Sequence, residues 1–208
     1  MKTYHKIQTI FKRDPKTHKI IEGDFTMPEF EYLRNNYWRW FEKVDGTNIR
    51  IMPNEYRVEF GGKTDKAQLP VQLRDNLRDM FPFDKMLDVF SIGPTTQVCL
   101  YGEGYGKGIQ KGGKYCDEQT FVLFDIWIDG WWLRKEAVKN IANSLGIDMV
   151  PELEQMTLQQ AIEVVRYGYT SKWGDFKAEG LVGEPVIPLF NRKGERIITK
   201  IKHCDFYE

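Results

Sequence analysis

The residues best suited to covalent chemistry lie in the string Lys43-Val44-Asp45-Gly46-Thr47-Asn48-Ile49-Arg50. Lys43 ends an aromatic run and precedes a tight turn at Gly46, which projects its amine from a rigid element. A lysine amine is a good nucleophile only when neutral, a form favoured by burial or by neighbouring cations. Asp45 and Arg50 are spaced to return to the same neighbourhood after the turn. By pattern alone, the commoner meaning of such a string is an exposed hairpin of mixed charge.

Four further stretches carry groups that could serve a nucleotide. In Tyr101-Gly102-Glu103-Gly104-Tyr105-Gly106 a carboxylate stands between glycines, where no neighbouring side chain obstructs approach to a hydroxyl-bearing ligand. The same glycine-rich stretch, 102–114, carries Lys107, Lys111 and Lys114, with no acid between Gly104 and Cys116. That local cation excess suits phosphate and is equally common on a solvated loop. The stretch lacks the GxxxxGK[ST] spacing of a P-loop. In Phe121-Val122-Leu123-Phe124-Asp125-Ile126, alternation puts Phe121, Leu123 and Asp125 on one strand face and Val122, Phe124 and Ile126 on the other. An aromatic ring there could stack on a base, although core packing is the more frequent use. Glu179 opens the apolar stretch Gly180-Leu181-Val182, and Lys200 and Lys202, two apart on a strand, share a face. His5, His18 and His203 have no ligand spacing. Cys99, Cys116 and Cys204 form no CxxC pair, so neither a zinc cluster nor a disulfide scaffold is indicated.

These groups need rigid elements behind them. The sequence predicts strands at 37–43, 47–52, 56–60, 97–101 and 120–128, with an Asp129-Gly130 hairpin turn into Trp131-Trp132-Leu133. A hairpin is expected from 5–11 and 18–22 around Asp14-Pro15-Lys16-Thr17. Helices are expected at 28–36, at 70–91 split by Pro82, at 134–145 stopped by Gly146, and at 157–167 capped by Thr157. Further strands fall near 177–183, 186–190 and 195–202. Residues 102–114 read as a loop. The sum is an α+β chain, mostly antiparallel, with a few packed helices and no internal repeat.

Composition narrows the function classes. The 208 residues carry 30 Lys+Arg against 30 Asp+Glu, a net charge of +0, which argues against a protein that coats nucleic acid by charge alone. Hydrophobic residues make up 41% and charged residues 29%, a globular composition. No run approaches the roughly 20 apolar residues of a membrane helix, and the N-terminus lacks a signal core. The expectation is a reduced, intracellular (cytoplasmic) protein forming a single domain over 1–208, with no membrane partner.

Taken in order, Lys43-x-Asp45-Gly46-x-x-x-Arg50, Gly102-Glu103, Phe124-Asp125, Glu179-Gly180 and Lys200-x-Lys202 resemble motifs I, III, IIIa, IV and V of the covalent nucleotidyltransferase superfamily. That superfamily holds ATP-dependent DNA and RNA ligases and mRNA capping enzymes. The strings YGEGYG and AEGLV look most like phage-type RNA ligases of the RNA ligase 2 class, which act in RNA repair. The resemblance spans nearly the whole chain and implies the ATP-grasp-like nucleotidyltransferase domain of the ligases, here 1–208, without a C-terminal OB domain.

The resemblance also implies roles. Lys43 would attack the α-phosphate of ATP and form a lysyl-AMP phosphoramidate. The AMP would pass to a 5′-phosphate end, which a 3′-hydroxyl then attacks. Lys200 and Lys202 would contact the α-phosphate and join Lys43 as catalytic groups. Glu103 would bind the ribose, Phe124 would stack on adenine, and Arg50 would hold the sugar or a phosphate. Asp45 falls with them in the nucleotide-binding set, Lys63 at a basic motif position, and Glu42 where the base edge is read. Glu179 would coordinate Mg²⁺, with Mn²⁺ as a substitute. RNA ends, nicked or single-stranded, are the implied partner. The residues leave open a compact ATP-dependent DNA ligase, and a module that binds nucleotide or RNA ends without turnover.

Overall fold

The computed structural model describes residues 3–207. In chain order the elements are β1 (Gln8–Thr9), β2 (Phe11–Arg13), β3 (Ile20–Phe25), α1 (Pro28–Tyr32), β4 (Tyr37–Glu42), β5 (Thr47–Pro53), β6 (Val58–Gly61), α2 (Val71–Met80), α3 (Phe83–Phe90), β7 (Val98–Tyr105), β8 (Thr120–Ile128), β9 (Trp131–Trp132), α4 (Lys135–Leu145), β10 (Met156–Thr157), α5 (Leu158–Tyr167), β11 (Gly180–Pro185) and β12 (Thr199–Lys202). The mixed α+β architecture agrees with the sequence expectation. Contacts gather into two units. The terminal unit is Lys6–Val44 with the chain from Pro151 onward, and the insert unit is Asp45–Val150 with residues 3–5.

The terminal unit is built on a sheet of order β1-β12-β11-β4-β10, antiparallel except for the β1–β12 pair. Alternation along β4 turns Trp38 and Trp40 inward, where they meet Leu181, Ile201 and the apolar stripe of α5. Thr157 starts α5 with a reciprocal cap: its hydroxyl accepts the Gln160 N–H, and the Gln160 side chain accepts the Thr157 N–H. The opposite face of β4, β11 and β12 carries Lys43, Lys200 and Lys202.

The insert unit has a second antiparallel sheet, β6-β5-β7-β8-β9. Ile49, Ile51, Leu100, Phe121, Leu123 and Ile126 line its inner face and bury Leu73, Leu77, Met86 and Val138 from the helices. Pro82 separates α2 from α3, and Gly146, at φ +62°, ends α4 in the left-handed conformation. The outer face of the sheet displays Asn48, Arg50, Tyr101 and Glu103, which are cross-strand neighbours in the pairs Asn48–Glu103 and Arg50–Tyr101.

Four local expectations change. The stretch 102–114 is not all loop, because β7 continues through Tyr105. Its glycines are sheet residues: a Cβ on Gly102 would fall 2.1 Å from the Phe121 ring and 2.2 Å from the Val122 carbonyl oxygen. The alternation in β8 breaks, since Tyr101 pairs with Asp125 while Gly102 pairs with Leu123. That bulge leaves Phe124 as the extra residue and sends Ile126, in place of Asp125, to the core face. Residues 186–190 form no strand, as Pro185 and Pro188 remove ladder donors and Phe190 keeps only a lone bridge to Arg196. The helix at 28–36 stops at Tyr32 and gives way to turns through Asn35 and Asn36.

The packing at Gly102 gives a stability test. Gly102→Ala is expected to cost roughly 1–3 kcal/mol through overpacking. The loss should appear as a lower urea midpoint with an unchanged slope, and an unchanged midpoint would mean that β7 and β8 do not share this register.

Candidate active site

In the terminal unit Lys43 follows the last residue of β4, and its backbone N–H donates to the Gly180 carbonyl at 2.9 Å. That bond extends the β4–β11 ladder and fixes where the side chain departs. The amine is half-buried and donates to Glu179 Oε2 at 2.6 Å. The other oxygen of Glu179 lies 3.4 Å from the Lys202 amine. Register explains the meeting, because Gly180 pairs with Lys202 in β12 and Lys43 with Gly180. One carboxylate therefore serves two ammonium groups. Lys200, two residues before Lys202, shares its sheet face.

Burial alone would lower the Lys202 pKa and is the largest single influence on it. The Glu179 charge and hydrogen bond, with lesser help from Cys204 and Asp205, outweigh that effect, so the pKa is raised above the usual lysine value. Lys202 therefore remains a cation through neutral pH.

Glu42 is one residue before the nucleophile candidate and on the opposite face. It is buried, accepts the Ser171 hydroxyl at 2.5 Å and accepts the Lys172 N–H at 2.8 Å. The structure does not bring Glu42 to the Lys43 side chain. It ties the end of β4 to the segment before β11.

In the insert unit the outer sheet face gathers Asn48, Arg50, Glu103 and Phe124. Arg50 is fully buried; its Nε donates to the Gly62 carbonyl at 2.7 Å and its Nη2 to Asp65 at 2.9 Å. Its Nη1 and the Asn48 Oδ1 are buried with no hydrogen-bond partner among the described residues. An orphaned donor and an orphaned acceptor on one sheet face are buried groups whose hydrogen-bonding capacity a ligand could satisfy. Glu103, the cross-strand neighbour of Asn48, is half-buried. Lys63 is exposed and directly follows the Gly62 carbonyl that anchors Arg50. Asp45 is half-buried, and its N–H donates to the Tyr115 hydroxyl at 3.1 Å.

Phe124 is set by a network that sequence reading missed. Lys135 donates to the Phe124 carbonyl at 2.8 Å and to Asp125 Oδ1 at 2.7 Å. The Tyr4 hydroxyl donates to the other Asp125 oxygen, and the Tyr4 ring meets Phe124 edge-on with centroids 5.1 Å apart. Lys135 is 5% exposed and Asp125 1%, so the pair lies in the interior. The sequence signal for Lys135 was hidden at the start of an amphipathic helix, where a lysine ordinarily faces water. Asn48 was legible in principle, since it alternates with Arg50 along β5.

The terminal unit offers an amine held by a carboxylate beside a second fixed cation. The insert unit, taken by itself, offers a polar sheet face with an aromatic ring. The sequence of the RNA ligase family matches residues 36–202, a span that holds every candidate site residue. The chain belongs to the RNA ligase family. The fold of this family member agrees with solved ligases. A mutant Naegleria gruberi RNA ligase with ATP and Mn superposes with a TM-score of 0.69 at 15% identity over 97% of this chain and 59% of that one. The same enzyme with PPi gives 0.68 at 17% identity over 99% and 63%. A mutant with AMP and Mn gives 0.67 at 17% over 96% and 62%. The chain thus spans about three fifths of those proteins, and at such identities the likeness concerns the fold. A curated (+)-germacrene D synthase from Selaginella moellendorffii is 24% identical over 105 residues, half of this chain and 26% of that protein, too little to assign a family or an activity. No helix among the described residues is long and apolar enough to cross a membrane.

The Lys135–Asp125 pair predicts a large single-site cost. Lys135→Met leaves a buried carboxylate uncompensated and is expected to destabilise by about 3–5 kcal/mol. Lys135→Met combined with Asp125→Leu should recover part of that loss in a denaturation double-mutant cycle. Additive losses would show that the two groups do not interact in the folded protein.

Proposed function

We propose that this chain is an ATP-dependent RNA ligase that acts through a covalent lysyl-AMP on Lys43, with both contact units serving one reaction as a single nucleotidyltransferase domain over 1–208. The observation that carries the reading is the Lys43 amine held 2.6 Å from Glu179, with Lys202 on the same carboxylate. Family membership supports it independently.

Lys43 Nζ attacks the α-phosphorus of ATP, a P–N bond forms, and the bond to the pyrophosphate leaving group breaks. Attack requires the amine to surrender a proton and the Glu179 contact. Lys202, held cationic, and Lys200 beside it balance the charge that grows on the α-phosphate oxygens. Glu103, with Asn48 across the strand, is suited to ribose hydroxyls. Phe124 offers a ring for adenine, and base–aromatic stacking is worth roughly 1–3 kcal/mol. Arg50 keeps its Nη1 amino group for a sugar or phosphate oxygen, and Asp45 and Lys63 complete the nucleotide-binding set. Transfer of AMP to a 5′-phosphate RNA end and attack by a 3′-hydroxyl complete sealing.

The donor set fits a divalent cation of the Mg²⁺ type. No cluster of three or more His, Cys, Asp or Glu is present among the described residues, and Glu179 is a lone carboxylate at the nucleophile. Mg²⁺ ordinarily takes one or two carboxylates and fills its shell from water and substrate phosphates. Such an ion would neutralise phosphate charge.

Incubation with Mg²⁺ and α-phosphate-labelled ATP, followed by a denaturing gel, tests the reading. A labelled band is expected with ATP and not with GTP. Lys43→Ala should abolish it without lowering the unfolding midpoint. Lys202→Ala should slow its formation by about 10²–10³-fold. A band that survives Lys43→Ala would remove the central claim, and nucleotide binding without any adduct would make the chain a binding module. Nicked RNA, single-stranded RNA and nicked DNA then identify the strand that is sealed.

A further inference from the structure

The lysines of the stretch 105–116 have no part in the chemistry above. Lys107, Lys111 and Lys114 are all exposed, and no acid interrupts them from Tyr105 through Cys116. Asp117 and Glu118 follow only after the buried Tyr115. Lys107 and Lys111 enter no ion pair among the described residues. The backbone that carries them is firmly seated. Ile109 is buried in the insert core, and Tyr105 and Tyr115 are buried with their rings edge-on at 5.7 Å. The Gln119 side chain donates to the Lys107 carbonyl at 3.0 Å and accepts the Leu73 N–H at 3.1 Å. Backbone bonds Ile109 to Gly106, Gly112 to Ile109 and Tyr115 to Gly112 close successive turns. Gly106, at φ +120°, lies so close to the Glu118 carbonyl that a Cβ would fall 2.1 Å from it. The fold brings the lysine-bearing segments together, since a Cβ on Gly113 would stand 3.5 Å from the Lys107 Cα. Finally, Tyr115 accepts the Asp45 N–H within the insert unit.

Exposed cations such as Lys107 and Lys111 on a preformed backbone lose little entropy when they meet an anion, and they gain most from an anion with several regularly spaced charges. A chain of phosphodiesters meets that description. We infer that the Lys107–Lys114 platform is a contact surface for the sugar-phosphate backbone of the RNA strand, independent of base sequence. The inference rests on the proposed ligase activity for its biological setting, and the platform's charge and rigidity support it separately.

The test uses the full chain and a fluorescein-labelled, 5′-phosphorylated single-stranded RNA. Anisotropy titrations over a range of KCl give the affinity and its salt slope for the wild type, Lys107→Gln/Lys111→Gln and Lys107→Arg/Lys111→Arg. Thermal unfolding confirms that all three fold. Each phosphate contact in single strands contributes about 0.7 to the slope of log K against log salt. The glutamine variant should lose about 1.4 of that slope and about tenfold in affinity at low salt, with the arginine variant near the wild type. Adduct formation from labelled ATP should be unchanged in the glutamine variant. An unchanged RNA affinity and slope would overturn the inference. So would a fall in adduct formation with RNA binding intact, which would give the lysines to the nucleotide's own phosphates. If no protein forms the adduct, the ligase reading fails while the binding arms still decide the platform.

Discussion

Glu179 lies within 2.6 Å of one amine and 3.4 Å of another, and the local chemistry of the terminal unit depends on that sharing. A lone half-buried lysine would lose solvation without compensation. Two lysines without a carboxylate would repel each other. One carboxylate between two ammonium groups leaves a net positive site whose members are held in place. The arrangement follows from strand register, because β4 and β12 are both hydrogen-bonded to β11 and their cationic residues fall opposite Gly180. A Cβ on Gly180 would fall 2.0 Å from the Ile201 carbonyl oxygen and 2.9 Å from the Lys202 Cα, so only a glycine lets β12 approach this closely.

The insert unit solves a different problem, that of charged groups under a sheet face. Arg50 has no exposed surface and is retained because two of its nitrogens find Gly62 and Asp65. Asp125 and Lys135 satisfy each other, with Tyr4 and the Phe124 carbonyl taking the remaining hydrogen-bonding capacity. Such groups are costly when only half satisfied. Their cost is offset by what they fix, which is the orientation of a bulged strand at Phe124.

The readable part of the sequence was the part governed by local rules. Thr157 before α5, Gly146 after α4, Pro82 between two helices and the Asp129-Gly130 turn are each found where expected, since caps, prolines and turn glycines act within a few residues. The five motif stretches were likewise visible as strings. What escaped was set by contacts between distant residues. The bulge at Phe124 depends on the pairing of β8 with β7. The strand character of Gly102 and Gly104 depends on the Phe121 ring and Leu73, which occupy the space that side chains would need. Tyr4 lies 121 residues from Asp125, and no periodicity announces such a pair.

The string around Lys43 carries the chain from one unit into the other. Lys43 and Val44 close the terminal unit, and Asp45 opens the insert unit. Each side is anchored locally, Lys43 through its N–H to Gly180 and Asp45 through its N–H to Tyr115. Gly46 is packed so tightly that a Cβ would fall 2.2 Å from the Gly104 carbonyl oxygen, which pins the turn to β7 beside Glu103. Two residues of chain span at most about 7 Å. The backbone that carries the amine and the backbone that carries Asp45 therefore stay within that reach whatever else the chain does.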